Sequence, residues 1–470
     1  MKNKFPNNNR RSFVKKLAGG MLATGISPIL VQARAANQAY SELIPLRSMP
    51  SYSPNDVIRV AAIGLGIQGF GNLRAALKVP GVELVAGCDL YDGRLQRAKE
   101  IYGNQLETTR DYREILSRSD VDAVIVSTPD HWHDKISIEA MKAGKAVYCE
   151  KPMVQYISEG KAVIDAQKSS GQVFQVGSQR VSSILFAKAK ELYASGLIGQ
   201  LIMVEANYDR QSANGAWQYS IPTDASPETV DWERFLGDTP KRSFDKTRFF
   251  RWRNYQDYGT GVGGDLFVHL FSGLHVLLDS NGPERVFATG GLRYWKDGRD
   301  VPDVFMALCD YPENSHHPAF NMQIRVNFID GSGGGSTTRL IGTEGTMEIG
   351  WSGITIKKSK PQDIPTYGNW DSFDTFTSDQ QKTFEAWHKN HYPAAPPRMI
   401  EPQEMVYSVP QGYSDHVDHF ANFFHCMRSG TTVVEDASFG LRAAAPSLAC
   451  NTSYFEKRVV QWDPELMVER

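Results

Sequence analysis

The chain has 470 residues, with 51 Lys and Arg against 53 Asp and Glu, a formal net charge of −2 and 41% hydrophobic residues. That balance leaves no electrostatic footprint for nucleic acid or an anionic membrane surface, and it suits a packed globular protein of two or three domains. Five scattered cysteines, Cys88, Cys149, Cys309, Cys426 and Cys450, form no CxxC pair, which argues against a disulfide framework or a thiolate metal site.

The first 35 residues read as a twin-arginine export signal. Asn9-Arg10-Arg11-Ser12-Phe13-Val14-Lys15 lies in a basic, Asn-rich start. A mildly apolar, glycine-bearing stretch from Leu17 to Val31 is too short to span a bilayer comfortably, and Ala33-Arg34-Ala35 offers a small-x-small cleavage pattern. The expected location is the periplasm, with no stable membrane insertion after processing. Residues 36–56 are polar with Pro and Ser, and are expected to form a surface arm.

Residues 57–178 alternate strand, turn and helix, which predicts a parallel, doubly wound Rossmann domain. Predicted strands are Ile58–Ile63, Val82–Cys88, Asp122–Ser127, Ala146–Cys149 and Gln172–Val176, with a helix over Gly69 to Leu77. Between the first strand and that helix stands Gly64-Leu65-Gly66-Ile67-Gln68-Gly69. Its glycines permit a tight turn, close approach of backbone to a pyrophosphate, and helix–strand packing, and the helix start supplies N–H groups to phosphates. Asp89 ends the second strand, where a carboxylate accepts from ribose hydroxyls and repels a 2′-phosphate. NAD is therefore expected over NADP. An exported protein meets little free NAD, so the nucleotide is expected to be tightly held and recycled within the site.

Residues 179–470 change texture, and predict an α+β domain with C-terminal helices and a mostly antiparallel, open-faced sheet. Strands are expected over Leu201–Tyr208, Arg285–Ala288, Val304–Asp310, Met322–Phe328 and Arg339–Ile349. The Pro-, Trp- and Tyr-dense segment from Pro361 to Glu404 is expected to be a long ordered loop, and His416 and His419 to be helix-face residues.

Thr128-Pro129-Asp130-His131-Trp132-His133, Ala143-Gly144-Lys145 and Glu150-Lys151-Pro152 together resemble the Gfo/Idh/MocA oxidoreductases. Asp231-Trp232 with Phe235-Leu236-Gly237, Gly342-Thr343-Glu344-Gly345 and the stretch from His416 to Asn451 extend the likeness through most of the chain. The resemblance implies that Lys151 lies beside the nicotinamide, and that Thr128, Pro129, His133 and Glu150 join the glycine loop in holding the nucleotide. Asp265 and His269 match the family's D-x-x-x-H pattern, in which the histidine takes the hydroxyl proton, while the aspartate orients the imidazole or binds a substrate hydroxyl. The family commonly has glycine where this chain has Phe267, so that side chain either narrows the pocket or packs on a strand.

Arg180, Trp217, Arg251, Arg253 and Tyr258 suit a carbohydrate, whose C–H faces pack on aromatic rings and whose hydroxyls or carboxylate accept from guanidinium groups. The resemblance implies sugar or polyol oxidoreduction, with NAD-dependent glycoside hydrolysis as the alternative and non-catalytic sugar sensing as a third. Tyr258 or Asp257 is the extra base the hydrolytic route would need. No metal site is predicted, and a dimer or tetramer is expected by family habit.

Overall fold

The computed structural model describes residues 38–43, 56–359, 364–393 and 403–470. The twin-arginine stretch and its cleavage pattern lie outside them. Gln38–Glu42, inside the expected surface arm, is a strand (β1).

Strands β2 (Ile58–Ile63), β3 (Val82–Cys88), β4 (Glu107–Thr109), β5 (Ala123–Val126), β6 (Ala146–Glu150) and β7 (Phe174–Gly177) form a parallel sheet in the order β4-β3-β2-β5-β6-β7. β5 and β6 are buried along their whole length, because helices cover both faces and every side chain meets a core. The order reverses between β2 and β5, so the loops after these strands part and leave a crevice at their carboxyl ends. The glycine loop follows β2, Thr128-Pro129 follows β5 and Lys151-Pro152 follows β6.

The second sheet has eleven strands and is mostly antiparallel. It contains β8 (Leu201–Asp209), β9 (Arg285–Gly291), β10 (Val304–Tyr311), β11 (Phe320–Asn327), β12 (Gly335–Gly342), β13 (Gly345–Ile349), β14 (Gly353–Lys358), β15 (Gln403–Ser408), β16 (Val460–Asp463) and β17 (Val468–Glu469). Its order is β1-β15-β14-β13-β12-β8-β11-β10-β9-β16-β17, with β1 parallel to β15 and β8 parallel to β11. β10 shows the period-two logic of a sheet covered on one side. Phe305, Ala307, Cys309 and Tyr311 face the core under the helix Val268–Leu278, and Met306 and Leu308 face outward.

Two expectations are corrected here. The single strand expected over Arg339–Ile349 is a hairpin, β12 and β13 turning at Thr343-Glu344, where Gly345 has φ +158°. The expected loop from Pro361 to Glu404 contains the helix Ser378–His391 and then β15. Thr377 and Gln380 form a reciprocal capping box at the start of that helix, a signal obscured by the surrounding aromatic-rich composition.

Two C-terminal helices return to the nucleotide-binding domain. From Asp415–Ser429, Phe420 stacks on Tyr148 of β6 at 4.2 Å, and Phe423 and Phe424 enter the same core. From Ala437–Glu456, Gly440 lies so close to Val176 of β7 that a Cβ would sit 2.5 Å from its side chain. All five cysteines are buried and unpaired.

Candidate active site

The glycine loop is built by exclusion. Gly64 has φ +93°, and a Cβ there would lie 2.5 Å from the Ser127 carbonyl oxygen; one on Gly69 would lie 2.0 Å from that of Gly64. At Gly66, by contrast, a Cβ would meet nothing nearer than the Arg94 guanidinium, at 3.9 Å. The helix Ile67–Ala76 begins with no side-chain cap, so its first N–H groups stay available to an anion. Gly64, Gly66, Ile67, Gln68, Asp89, Thr128 and Pro129 line one narrow cleft of about 110 Å³. Asp89 braces the loop as well as facing the cleft: its carboxylate accepts from Leu65 N at 2.7 Å and Tyr91 N at 3.0 Å, with Arg94 at 3.4 Å. Arg94 reaches both carboxylate oxygens only at 3.4 Å, a long shared contact that a ribose hydroxyl would replace. The uncapped helix start, the open Gly66 and this carboxylate fit a dinucleotide.

His133 does not join that lining. It is 1% exposed, with Nδ1 2.7 Å from the Pro152 carbonyl oxygen and Nε2 2.9 Å from that of Thr128. It ties together the loops after β5 and β6, a structural duty that the motif alone does not reveal.

The cleft opens past Ile67 and Gln68 into a cavity of about 620 Å³. Lys151 lies at the junction, where its Nζ donates to the Asp265 carboxylate at 2.7 Å and the Asp265 carbonyl at 2.9 Å. Burial alone pushes the Asp265 carboxyl up, but the Lys151 and Arg253 cations hold it well below the usual carboxylate range. Asp265 therefore fixes Lys151, rather than orienting His269. An ammonium has three donors, so one N–H of Lys151 is left for a ligand.

His269 lines the same cavity, its ring 5.9 Å from that of Tyr208. Burial lowers its pKa well below the ordinary imidazole value, and the Lys151 and Arg180 cations lower it further. It is a neutral base facing open space. The backbone carrying this pair is a π-helical turn, Gly263–Phe267, running into the helix Val268–Leu278. Such turns recur at functional sites. Gly264 leaves no room for a Cβ beside Thr260, and Asp130 of the Thr-Pro-Asp-His motif accepts from both the N–H and the hydroxyl of Thr260. Asp130 thus sets the turn, a role absent from the sequence reading.

The substrate candidates divide. Arg180 and Arg253 line the cavity. Trp217 also touches it, but is 1% exposed and packed edge-on to Phe328, so it is mainly core. Arg251 is turned away, donating to the Tyr219 carbonyl and the Gln218 side chain. Tyr258 is fully buried in an aromatic cluster with Phe235 and Trp232, and Asp257 pairs with Arg242 and Arg248; neither lines the cavity. Phe267 stacks on Phe305 of β10, so it packs on a strand and does not narrow the pocket.

Glu150, expected with the nucleotide, lines the larger cavity and not the cleft. Glu150 accepts from Gln68 at 3.1 Å, Asn72 at 2.9 Å and Gln179 at 3.4 Å. Asp415 and His416 line the cavity too, with Asp415 Oδ1 3.1 Å from His416 Nδ1; neither was read as a site residue from the sequence. Burial pulls the His416 pKa down, but the bond to Asp415 and that carboxylate's charge carry it above the ordinary value. No sequence signal links these residues to a glycine loop so far upstream.

Residues 58–178 match the model of the GFO_IDH_MocA oxidoreductase family, described as an NAD-binding Rossmann fold. Inositol 2-dehydrogenase of Salmonella typhimurium is 31% identical over 167 residues, which are 35% of this chain and 49% of that protein. A glycosyl hydrolase family 109 protein of Shewanella baltica is 32% identical over 225 residues, 43% of this chain and 46% of that protein. The chain thus spans about half the length of the curated relatives it matches. Among solved structures, levoglucosan dehydrogenase with NADH and levoglucosan superposes with a TM-score of 0.59 at 19% identity, covering 86% of this chain and 98% of the other. An NAD-binding protein from Listeria innocua gives 0.59 at 20% identity, covering 86% and 99%. The two-domain fold is shared with these solved structures, and the family model supports the resemblance read from the motifs over residues 58–178.

Proposed function

We propose that this chain, whose nucleotide-binding domain is of the Gfo/Idh/MocA kind, interconverts an alcohol and a ketone on a sugar, glycoside or polyol, using NAD(H). The observation that carries this reading is the Lys151–Asp265 pair beside an unprotonated His269, where the nucleotide cleft meets the larger cavity. Bound NAD(H) supplies hydride acceptance and donation. His269 takes the proton of the substrate hydroxyl. Lys151, oriented by Asp265, directs its remaining N–H at the same oxygen and stabilises the charge that develops there. Trp351, an exposed ring on the cavity wall, offers aromatic surface to the sugar, and Asp89 disfavours a 2′-phosphate, so NAD is preferred to NADP. The outward Met306 and Leu308, with Phe287 opposite Leu308 on β9, are the surface we assign to a homo-oligomer.

The export signal adds a constraint. A protein delivered to the periplasm keeps its nucleotide, and reoxidises it in place with a carbonyl substrate or a dedicated acceptor. The test is mass and absorbance analysis of nucleotide released on denaturing the purified, unsupplemented protein. Stoichiometric NAD(H) surviving dialysis supports retention, and an empty site that binds added NAD weakly refutes it.

A second reading, NAD-dependent glycoside hydrolysis, is favoured by one observation. Oxidation at C3, loss of the acidified C2 proton with expulsion of the aglycone from C1, addition of water at C1 with return of a proton to C2, and re-reduction at C3 need an acid–base group beyond Lys151 and His269, and the Asp415–His416 pair lines the same cavity. Aglycone release from an aryl glycoside without net change in NADH would establish it. A sugar sensor without turnover has no need of the assembled Lys151, Asp265 and His269.

A further inference from the structure

The cavity is lined by more cationic than anionic charge, and its carboxylates are already engaged. Asp265 holds Lys151 and Arg253, Asp415 holds His416, and Glu150 is bound by three side-chain amides. Arg180 and Arg210 form no direct ion pair or hydrogen bond with a carboxylate among the described residues; Asp415, bonded to His416, acts on Arg180 only through its charge. Arg180 donates to Ser336 Oγ at 2.8 Å, and otherwise lies over the rings of Phe186, Tyr208 and Trp351 at 5.7, 5.8 and 5.7 Å. Arg210 donates to the Gly215 carbonyl at 2.7 Å, and lies over Tyr208 at 5.2 Å and Phe328 at 5.6 Å.

The two guanidinium groups share the Tyr208 ring, which is itself a neighbour of His269. Burial depresses the Arg180 pKa, against the opposing pull of Tyr208 and of Asp415, which forms no direct ion pair with it. Half-buried guanidinium groups held against aromatic rings with no bonded carboxylate keep donors free for an arriving anion. The nucleotide phosphates are not that anion, because they belong at the Gly66 end of the other cleft, which neither arginine lines. Guanidinium forks match the planar carboxylate and the sulfate oxygens.

We propose that Arg180 and Arg210 form a subsite for an anionic substituent, so that the sugar processed here carries a carboxylate or a sulfate within about a ring's width of the reacting carbon. The proposal rests on the sugar-oxidoreductase reading, and the experiment separates the two. Binding is measured calorimetrically on the full-length protein saturated with NAD, using methyl β-D-glucuronide, glucose 6-sulfate and methyl β-D-glucoside.

The expected result is that at least one charged sugar binds about tenfold or more tightly than the neutral one, with affinity falling as salt rises. Preference for the glucuronide identifies a carboxylate, and preference for the sulfate ester identifies a sulfate. Arg180→Gln with Arg210→Gln should erase the difference between charged and neutral sugars, while Arg180→Lys should keep part of it. Equal binding of charged and neutral sugars, or a preference that survives the double substitution, overturns the subsite and leaves the oxidoreductase reading standing. Binding of NAD with no binding of any of the three sugars overturns both.

Discussion

Replacing Asp265 by Asn and Lys151 by Met, singly and together, tests whether the two act as one buried unit. Their side chains are 6% and 9% exposed, and their polar atoms lie 2.7 Å apart. Asp265→Asn strands the Lys151 ammonium, and leaves Arg253 without its carboxylate. Removing one partner of a buried pair costs about 3–5 kcal/mol. Lys151→Met is milder, at about 2 kcal/mol, because Arg253 at 3.3 Å still faces the carboxylate. The double variant removes both charges, so only Arg253 loses its partner, and at 25% exposed it reaches water. The cycle should therefore show a coupling of about 2 kcal/mol in urea unfolding followed by tryptophan fluorescence. In activity, each single variant should lose roughly 10² to 10⁴ in kcat/KM, and the double no more than the worse single. NAD titration should be little changed, since Asp265 does not line the nucleotide cleft. Additive stabilities within about 0.5 kcal/mol, or multiplying rate losses, would refute the claim that Asp265 works through Lys151.

His269→Ala should lower kcat/KM by roughly 10² to 10⁴. Because burial and the Lys151 and Arg180 cations depress the His269 pKa, the wild-type rate should hold as pH falls through the free-imidazole range near 6.5; Arg180→Gln removes one cation, so the acid limb should move to higher pH in its kcat/KM profile. Gly64→Ala forces a Cβ into the Ser127 backbone and should lower both thermal stability and NAD affinity, whereas Gly66→Ala meets nothing closer than 3.9 Å and should spare stability while weakening NAD binding. Glu435 is 1% exposed, and burial raises its pKa well above the ordinary value. A folded pKa above the unfolded one gives stability that is present below the unfolded pKa and lost as pH rises through the folded one. Glu435→Gln should accordingly stabilise the protein more at about pH 8 than at about pH 5, read as the melting temperature.

The sequence made the chemistry legible wherever function sits at strand ends. Gly64, Asp89, Thr128 and Lys151 follow strands whose apolar runs are unambiguous, so the parallel topology delivers them to one crevice. What failed was direction. Arg251, Tyr258 and His133 stand among cavity residues in sequence, but face carbonyls or aromatic neighbours, and no periodicity reports which way a side chain turns in a loop or at the first residue of a helix. The Asp265–His269 spacing placed both on one face correctly, yet the aspartate's partner is Lys151, more than a hundred residues earlier. His416 read as an ordinary helix residue because its meaning comes from the opposite wall of a cavity. Trp351, Tyr208 and Arg210 fall on strands or their ends, where alternation predicts burial on one face but says nothing of a ligand on the other.

Phe420, Phe423 and Phe424 complete the core beneath β6, and Gly440 presses against β7. The stretch that carries the family signature, residues 58–178, is therefore not the stretch that can stand alone. Cut free, it would expose the surface on which three phenylalanines belong, each contributing on the order of 1.5–3 kcal/mol of burial. During synthesis, the glycine loop and its strands emerge long before the helices that seal them. Capture of the nucleotide then becomes a late event, a seal that closes only when nearly the whole chain has been made.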